Sequence, residues 1–173
     1  MEIQVSEEMS RILGYSREEA MRTGAYEIGT DHLLLGLLRH SDNLACKALA
    51  SLGVDLDDFK HYVESLIFKR ESVPYDHENK LRFSREARNT LNMSVLETST
   101  LGDPETRSQH LLLAICRSAA AASKTYLEAE GISRDTVATF LKDRADEELN
   151  QNPKPAPVKR IMHIVIGKPK IYS

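Results

Sequence analysis

Residues 30–39 read TDHLLLGLLR, and residues 108–117 read SQHLLLAICR. The second stretch is the first displaced by 78 residues, the separation of His32 from His110. The same displacement pairs Ser6 with Ser84, Glu8 with Glu86, Leu13 with Leu91, Glu19 with Glu97 and Gly24 with Gly102, and beyond the motif Leu49 with Leu127, Gly53 with Gly131 and Asp57 with Asp135. No gap is needed anywhere. Self-similarity at one fixed period marks a duplicated structural unit, so the chain reads as a tandem duplication.

Each copy is patterned as helices. Ser6 is an N-cap residue followed by Glu7 and Glu8, which suit the positive end of a helix. Met9, Ile12, Leu13, Ser16 and Ala20 recur on one face until Gly24 stops the run. The copy starts at Ser84 and stops at Gly102. A second, almost wholly apolar helix from Thr30 or Asp31 through Leu38 belongs at the centre of a fold. A third spans about 44–52 and ends at Gly53, and a fourth runs from Asp55 or Asp57 to about Phe68. The second half repeats this, with caps at Ser108 and Ser133 and a stop at Gly131. The fold class is therefore all-α, a duplicated four-helix repeat with about eight helices. Repeat 1 is assigned to residues 1–68, a charged surface loop to 69–82, repeat 2 to 83–145 and a linker with a β-prone tail to 146–173.

Composition narrows the function classes. With 173 residues the chain can bury a substantial core. Net charge is only −3, yet residues 1–68 carry 6 basic and 12 acidic side chains. An acidic first half disfavours nucleic-acid partners. Neither an apolar run of membrane-spanning length nor a leader-like N-terminus is found, so the protein is expected to be cytoplasmic. Cys46 and Cys116 sit at non-equivalent places in the repeat and are expected as buried free thiols. No cluster of soft ligands for zinc is present.

GTDHLLLGLL followed by ACKALASLGVD, and RSQHLLLAIC followed by SKTYLEAEGIS, resemble the two repeats of the N-terminal domain of the Clp ATPases. The resemblance covers roughly residues 3–145. It implies a pseudo-twofold helical module that binds adaptor and substrate proteins, uses no cofactor and performs no chemistry itself. Its partners would be a Clp-type ATPase, the protease core, and the adaptors or substrates delivered to them. No G-x-x-x-x-G-K-[ST] loop occurs, since Gly167-Lys168 stands alone, so the sequence is expected to be a free-standing copy without the ATPase modules. In some relatives each repeat reads phosphoarginine, with a Glu before the motif His. Asp31 and Gln109 hold that position here, and Glu8 and Glu86 stand at the helix starts where the family commonly has Arg. A carboxylate there repels phosphate. The resemblance thus marks Ser6, Glu8, Asp31, Ser84, Glu86 and Gln109 as candidate partner-binding residues.

Two readings from other classes remain open. A Cys/His hydrolase or metal protein would use Cys116, His110 and His61, or the Asp76-His77-Glu78 run. Against it, Cys116 and His110 lie six positions apart on one helix and face different ways. His32 and His110 read instead as packing residues bonded to the neighbouring repeat or to a loop carbonyl. The run from Ser118 to Lys124 reads equally as a shallow groove or a closely packed alanine-rich helix. The tail, IMHIVIGKPKIYS, is β-prone, and Ile161, Ile164 and Ile166 are its candidate contacts. Docking of this tail on a partner, or on a second copy to give a structural homodimer, is the third reading.

Overall fold

A computed structural model describes residues 4–69, 71–74, 80–118 and 121–151. In chain order it contains β1 (Gln4–Val5), α1 (Glu7–Arg22), β2 (Glu27–Ile28), α2 (Thr30–Arg39), α3 (Leu44–Ser51) and α4 (Leu56–Ile67). The second copy follows with β3 (Arg82–Phe83), α5 (Arg85–Leu101), β4 (Glu105–Thr106), α6 (Ser108–Arg117), α7 (Ser123–Ala129) and α8 (Arg134–Gln151). Eight helices dominate the described residues, and every helix has its counterpart 78 residues away, as the duplication requires. The β-prone tail, with Ile161, Ile164 and Ile166, lies outside the described residues, as does the Asp76-His77-Glu78 run.

The helix boundaries follow from local chemistry. Ser6 and Ser84 accept hydrogen bonds from the N–H groups of Met9 and Ala87, satisfying amides that the first turn leaves without partners. Asn43 and Asp55 do the same for α3 and α4. Gly24 ends α1 with φ +82, and a Cβ there would lie 2.3 Å from the Glu71 carbonyl oxygen. Only glycine tolerates both the left-handed backbone and the approach of the segment that carries Lys69 and Glu71. That segment then bonds back to α1, with Lys69 N–H on the Thr23 carbonyl and Val73 N–H on the Met21 carbonyl.

α2 and α6 form the centre. Leu33, Leu34, Leu35 and Leu37 are wholly buried, as are Leu111, Leu112 and Leu113. At about 1.5–3 kcal/mol for each fully buried leucine, these two helices supply a large share of the hydrophobic stabilisation. Gly36 lets α1 close onto α2, since a Cβ would stand 2.4 Å from Ser16 Oγ and 2.6 Å from the Ile12 carbonyl oxygen. A smaller cluster joins Ala20, Met21 and Ile28 to Val73 and Leu81. The stretch 69–82 is therefore not wholly a surface loop, because its charged residues flank two apolar side chains that the first repeat buries.

Four short strands were not legible as strands. β1 pairs in parallel with β4, and β2 with β3. Each pair joins one repeat to the other, and the 78-residue shift turns one pair into the other. The ladders extend symmetrically, with Ser6 N–H on the Thr106 carbonyl and Ser84 N–H on the Ile28 carbonyl. Two-residue bridges are too short for the alternation that reveals a strand. Across the repeats, α4 and α7 meet through Phe59 and Tyr126, whose rings stack 4.6 Å apart, and Tyr126 Oη donates to Asp58 at 2.8 Å.

Residues up to Phe140 form one compact unit. The described part of the second unit, from Leu141, is the remainder of α8 to Gln151, with an Arg144–Glu148 ion pair one turn apart and Leu149 exposed.

Candidate functional site

The paired histidines are built into the helix starts. In α2, Nδ1 of His32 accepts from the Gly29 N–H at 2.8 Å, and Nε2 lies 3.1 Å from Thr23 Oγ1. Thr23 Oγ1 already donates to the Glu19 carbonyl, so it receives the Nε2 proton. In α6, Nδ1 of His110 accepts from the Arg107 N–H, and Nε2 lies 2.6 Å from Asp103 Oδ2. Each ring is therefore the neutral tautomer with its proton on Nε2. Burial pushes the His32 pKa below its ordinary value, which favours the same form. Neither ring offers a free lone pair to a substrate or a metal. Both bonds stay inside the histidine's own repeat, which corrects the expectation of a bond to the neighbouring repeat or to a carbonyl.

The cysteine chemistry is equally closed. Cys46 and Cys116 are free, the first buried and the second partly so. Burial pushes both thiols up to about 12, so neither supplies a thiolate nucleophile near neutral pH. His61 sits on the exposed face of α4, with Nδ1 2.7 Å from the Asp57 carbonyl of its own helix. Among the described residues no group of three or more His, Cys, Asp or Glu side chains converges as metal ligands would. No described helix is long and apolar enough to cross a membrane.

The structure places the six candidate contact residues as follows. Ser6 and Ser84 are buried caps, and Ser6 Oγ also donates to the Thr106 carbonyl. Glu8 reaches into the other repeat, where its carboxylate accepts from the Ser108 N–H at 2.9 Å at the start of α6. Asp31 also reaches into the second repeat, accepting from the Ala122 and Ser123 N–H groups at 3.0 and 3.1 Å at the start of α7. A guanidinium approaching Asp31 would compete with those two amides. The equivalent residues of the second repeat behave differently. The Gln109 Oε1 atom is buried without a hydrogen-bond partner, and Glu86 is exposed, its carboxylate without a partner among the described residues.

α6 starts at Ser108 with Arg107 as its cap residue, one position before the cap expected from sequence, because the His110 ring takes over the cap's role. Ser108 Oγ accepts instead from the Ala45 N–H of α3. Of the alanine-rich run, Ser118, Ala121 and Ala122 precede α7 rather than forming part of a helix.

Sequence reasoning missed two buried carboxylates and two clefts. Glu19 and Glu97, partners in the repeat, are 2% and 1% exposed. Glu97 binds Arg117 at 3.0 Å and Arg134 at 2.7 Å, and hydrogen bonding by Arg134 holds its pKa below the ordinary glutamate range. Glu19 binds Arg22, which also reaches Glu64. The signal was available, as an acid kept at both copies of one position on an otherwise apolar face. One cleft, of about 310 Å³, is lined by Glu18, Met21 and Arg22 of α1, Arg39 of α2, and Ser72 and Val73. The other lies between α5 and α6 and has a volume of about 270 Å³. Thr90, Met93 and Ala114 form its apolar lining, and Glu86, Arg117 and Ser118 are among its other walls.

With this geometry in hand, comparison with known proteins places the fold. The Clp repeat (R) N-terminal domain matches residues 4–129. The chaperone protein ClpB of Oceanobacillus iheyensis is 32% identical over 128 residues, covering 74% of this chain and 15% of that protein. The negative regulator of genetic competence ClpC/MecB of Bacillus subtilis is 30% identical over 128 residues, with the same coverage. The chain thus spans about 15% of the length of these curated relatives. Among solved structures, the complex of a ClpV N-domain with a VipB peptide aligns with a TM-score of 0.58 at 22% identity, covering 79% of this chain and 90% of that one.

Proposed function

The chain belongs to the Clp repeat N-terminal domain family, and from that premise we propose that it is a non-enzymatic module that binds protein segments, accessory to proteolysis by a Clp-type unfoldase. Its partners are then an unfoldase or protease-core subunit, an adaptor, or the proteins delivered to them.

The observation that carries this reading is how the conserved-looking chemistry of the repeat is used. The duplicated His and Ser residues cap helices, and Glu8 and Asp31 of the first repeat join the two halves, so these groups build the module rather than a reaction centre. The surface of the described residues carries apolar clefts with charged walls, the kind of feature that receives a partner's side chain. A solved ClpV N-domain, similar in fold, holds a VipB peptide, which supports the peptide-binding part of the reading.

The test is an affinity capture from native cell lysate read by mass spectrometry, using the folded full chain and a version ending at Gln151 as parallel baits. Enrichment of Clp subunits, adaptors or their clients over an unrelated helical bait is the expected result. A folded bait that enriches none of them contradicts the proposal, and a difference between the two baits assigns the tail its share.

A further inference from the structure

The two repeats supply an internal control for the α5–α6 cleft. In the first repeat, the place of Met93 is held by Tyr15, that of Arg117 by Arg39 and that of Ser118 by His40. There the Arg39 guanidinium carbon lies 4.5 Å from the centre of the Tyr15 ring, and the His40 ring lies 6.3 Å away. An aromatic ring under a guanidinium, beside a second ring, occupies the place on α1 and α2 that corresponds to the α5–α6 cleft, while the first repeat's own cleft lies further along α1, among Glu18, Met21, Arg22, Arg39, Ser72 and Val73. In the second repeat the ring is gone, a flexible thioether stands at its position, and the second ring is a hydroxyl. The arginine remains, lining the cleft with its Nη1 held 3.0 Å from Glu97.

The helix pair also differs beneath. Gly36 allows α1 and α2 to touch, while its counterpart Ala114 carries a methyl group into the same line. A Cβ at Gly36 would collide with the Ser16 N at 2.8 Å as well as with Ser16 Oγ, whereas the second copy accommodates a methyl group at Ala114. The cleft of about 270 Å³ opens along that line, with Ala114 and Thr90 both buried in its wall.

We propose that the α5–α6 cleft receives an aromatic side chain of a protein partner, which takes the place that the Tyr15 ring holds in the first repeat. The inference rests on the reading of the chain as a protein-binding module and gives that module a site and a preferred side chain. Glu97 fixes Arg117 as a wall against which the ring's face packs, Met93 adapts to the ring's edge, and Ser118 faces a phenolic hydroxyl or water at the mouth. Aromatic faces attract guanidinium groups and ring edges attract thioethers, so tyrosine or phenylalanine is favoured over an aliphatic side chain of similar bulk.

The experiment is methionine-methyl NMR on the full chain, titrated with N-acetyl-tyrosinamide, and with N-acetyl-leucinamide as the aliphatic control. Met93 reports on the α5–α6 cleft, Met21 on the cleft of the first repeat that it lines, and buried Met9 on the core. The expected result is a saturable ring-current shift of Met93 alone, with binding about fivefold tighter for the tyrosine amide than for the leucine amide. Met93→Tyr, which writes the missing ring into the chain, and Ser118→Trp, which covers the mouth from outside the helices, should each remove saturation at the cleft. The second variant keeps the test valid if the first fails to fold. Equal affinity for the two amides, an unshifted Met93, or binding at the cleft that survives in a folded variant overturns the proposal. If lysate capture still finds Clp components with a folded Met93→Tyr chain, the module reading stands and only the aromatic site falls. If capture fails while the titration succeeds, the converse holds.

Discussion

In the first repeat the carboxylates of Glu8 and Asp31 reach across to cap backbone amides of the second. At the same places in the second repeat, Glu86 lies exposed beside a cleft and Gln109 has a bare Oε1. A related division runs through the helix pairs, since Tyr15, Gly36 and His40 pack at the α1–α2 contact, while Met93, Ala114 and Ser118 line a cleft at the same place between α5 and α6. A duplication places two copies of every side chain on one scaffold. One copy can then keep the interactions that hold the halves together while the other is released to vary. The capping histidines, needed by both central helices, are the part neither copy has given up.

The largest effect should come from the closest approach. Gly36→Ala brings a Cβ against backbone atoms at 2.6 and 2.8 Å. Overpacking of this kind costs about 3 kcal/mol, which outweighs the roughly 1 kcal/mol that alanine gains in helix propensity. Ala114→Gly, its mirror, should lose only about 1 kcal/mol. Guanidinium unfolding of both variants checks the contrast, and a Gly36→Ala chain as stable as wild type would show that the two helix pairs do not differ as described.

Next comes the buried acid. Glu97→Gln removes the charge that Arg117 and Arg134 share, at a cost of about 2 kcal/mol near neutral pH. Because the folded pKa is depressed, the stabilisation is complete above the ordinary glutamate value of 4.5 and is lost as pH falls through the lower folded value. The gap between wild type and Glu97→Gln should therefore close in acid. A gap that is independent of pH would remove the ionic explanation.

The inter-repeat caps sharpen the comparison at smaller scale. Asp31→Ala should destabilise by about 1.5 kcal/mol through loss of two amide acceptors. Gln109→Ala should change stability by less than about 0.5 kcal/mol, since the lost oxygen has no partner. Equal losses in thermal melts would argue against the asymmetry.

The smallest effect belongs to His32. Its buried imidazole should titrate below the usual 6.5 by NMR. The unfolded chain then binds the proton more readily, so stability is fully present above pH 6.5 and declines as pH falls below it. A titration midpoint above 6.5 would mean that the ring is not buried as a neutral acceptor.

Much of the fold was legible because its determinants are local. Ser6, Ser84, Asp55 and the glycines at 24, 53, 102 and 131 each act on the turn where they stand, and the 78-residue register carries the assignment from one copy to the other. β1 to β4 were not legible, because a two-residue parallel bridge is defined by what lies beside it in space. The histidine partners were misread for a related reason. His32 and His110 bond to Gly29 and Arg107, three residues earlier, in the way a glutamate closes a capping box, and sequence gives little warning that a ring will do this. The cleft was least visible of all. It depends on three differences between the copies, whereas the reading was built on what the copies share.

The most direct measurement is quantitative lysate capture with three folded baits: wild type, Arg39→Ala, which strips the guanidinium from the filled face of the first repeat, and Met93→Tyr, which fills the open face of the second. A second repeat that carries recognition predicts that Clp components or clients enriched by wild type are kept by Arg39→Ala and lost by Met93→Tyr. Equal enrichment by all three baits, or loss with Arg39→Ala alone, would contradict it.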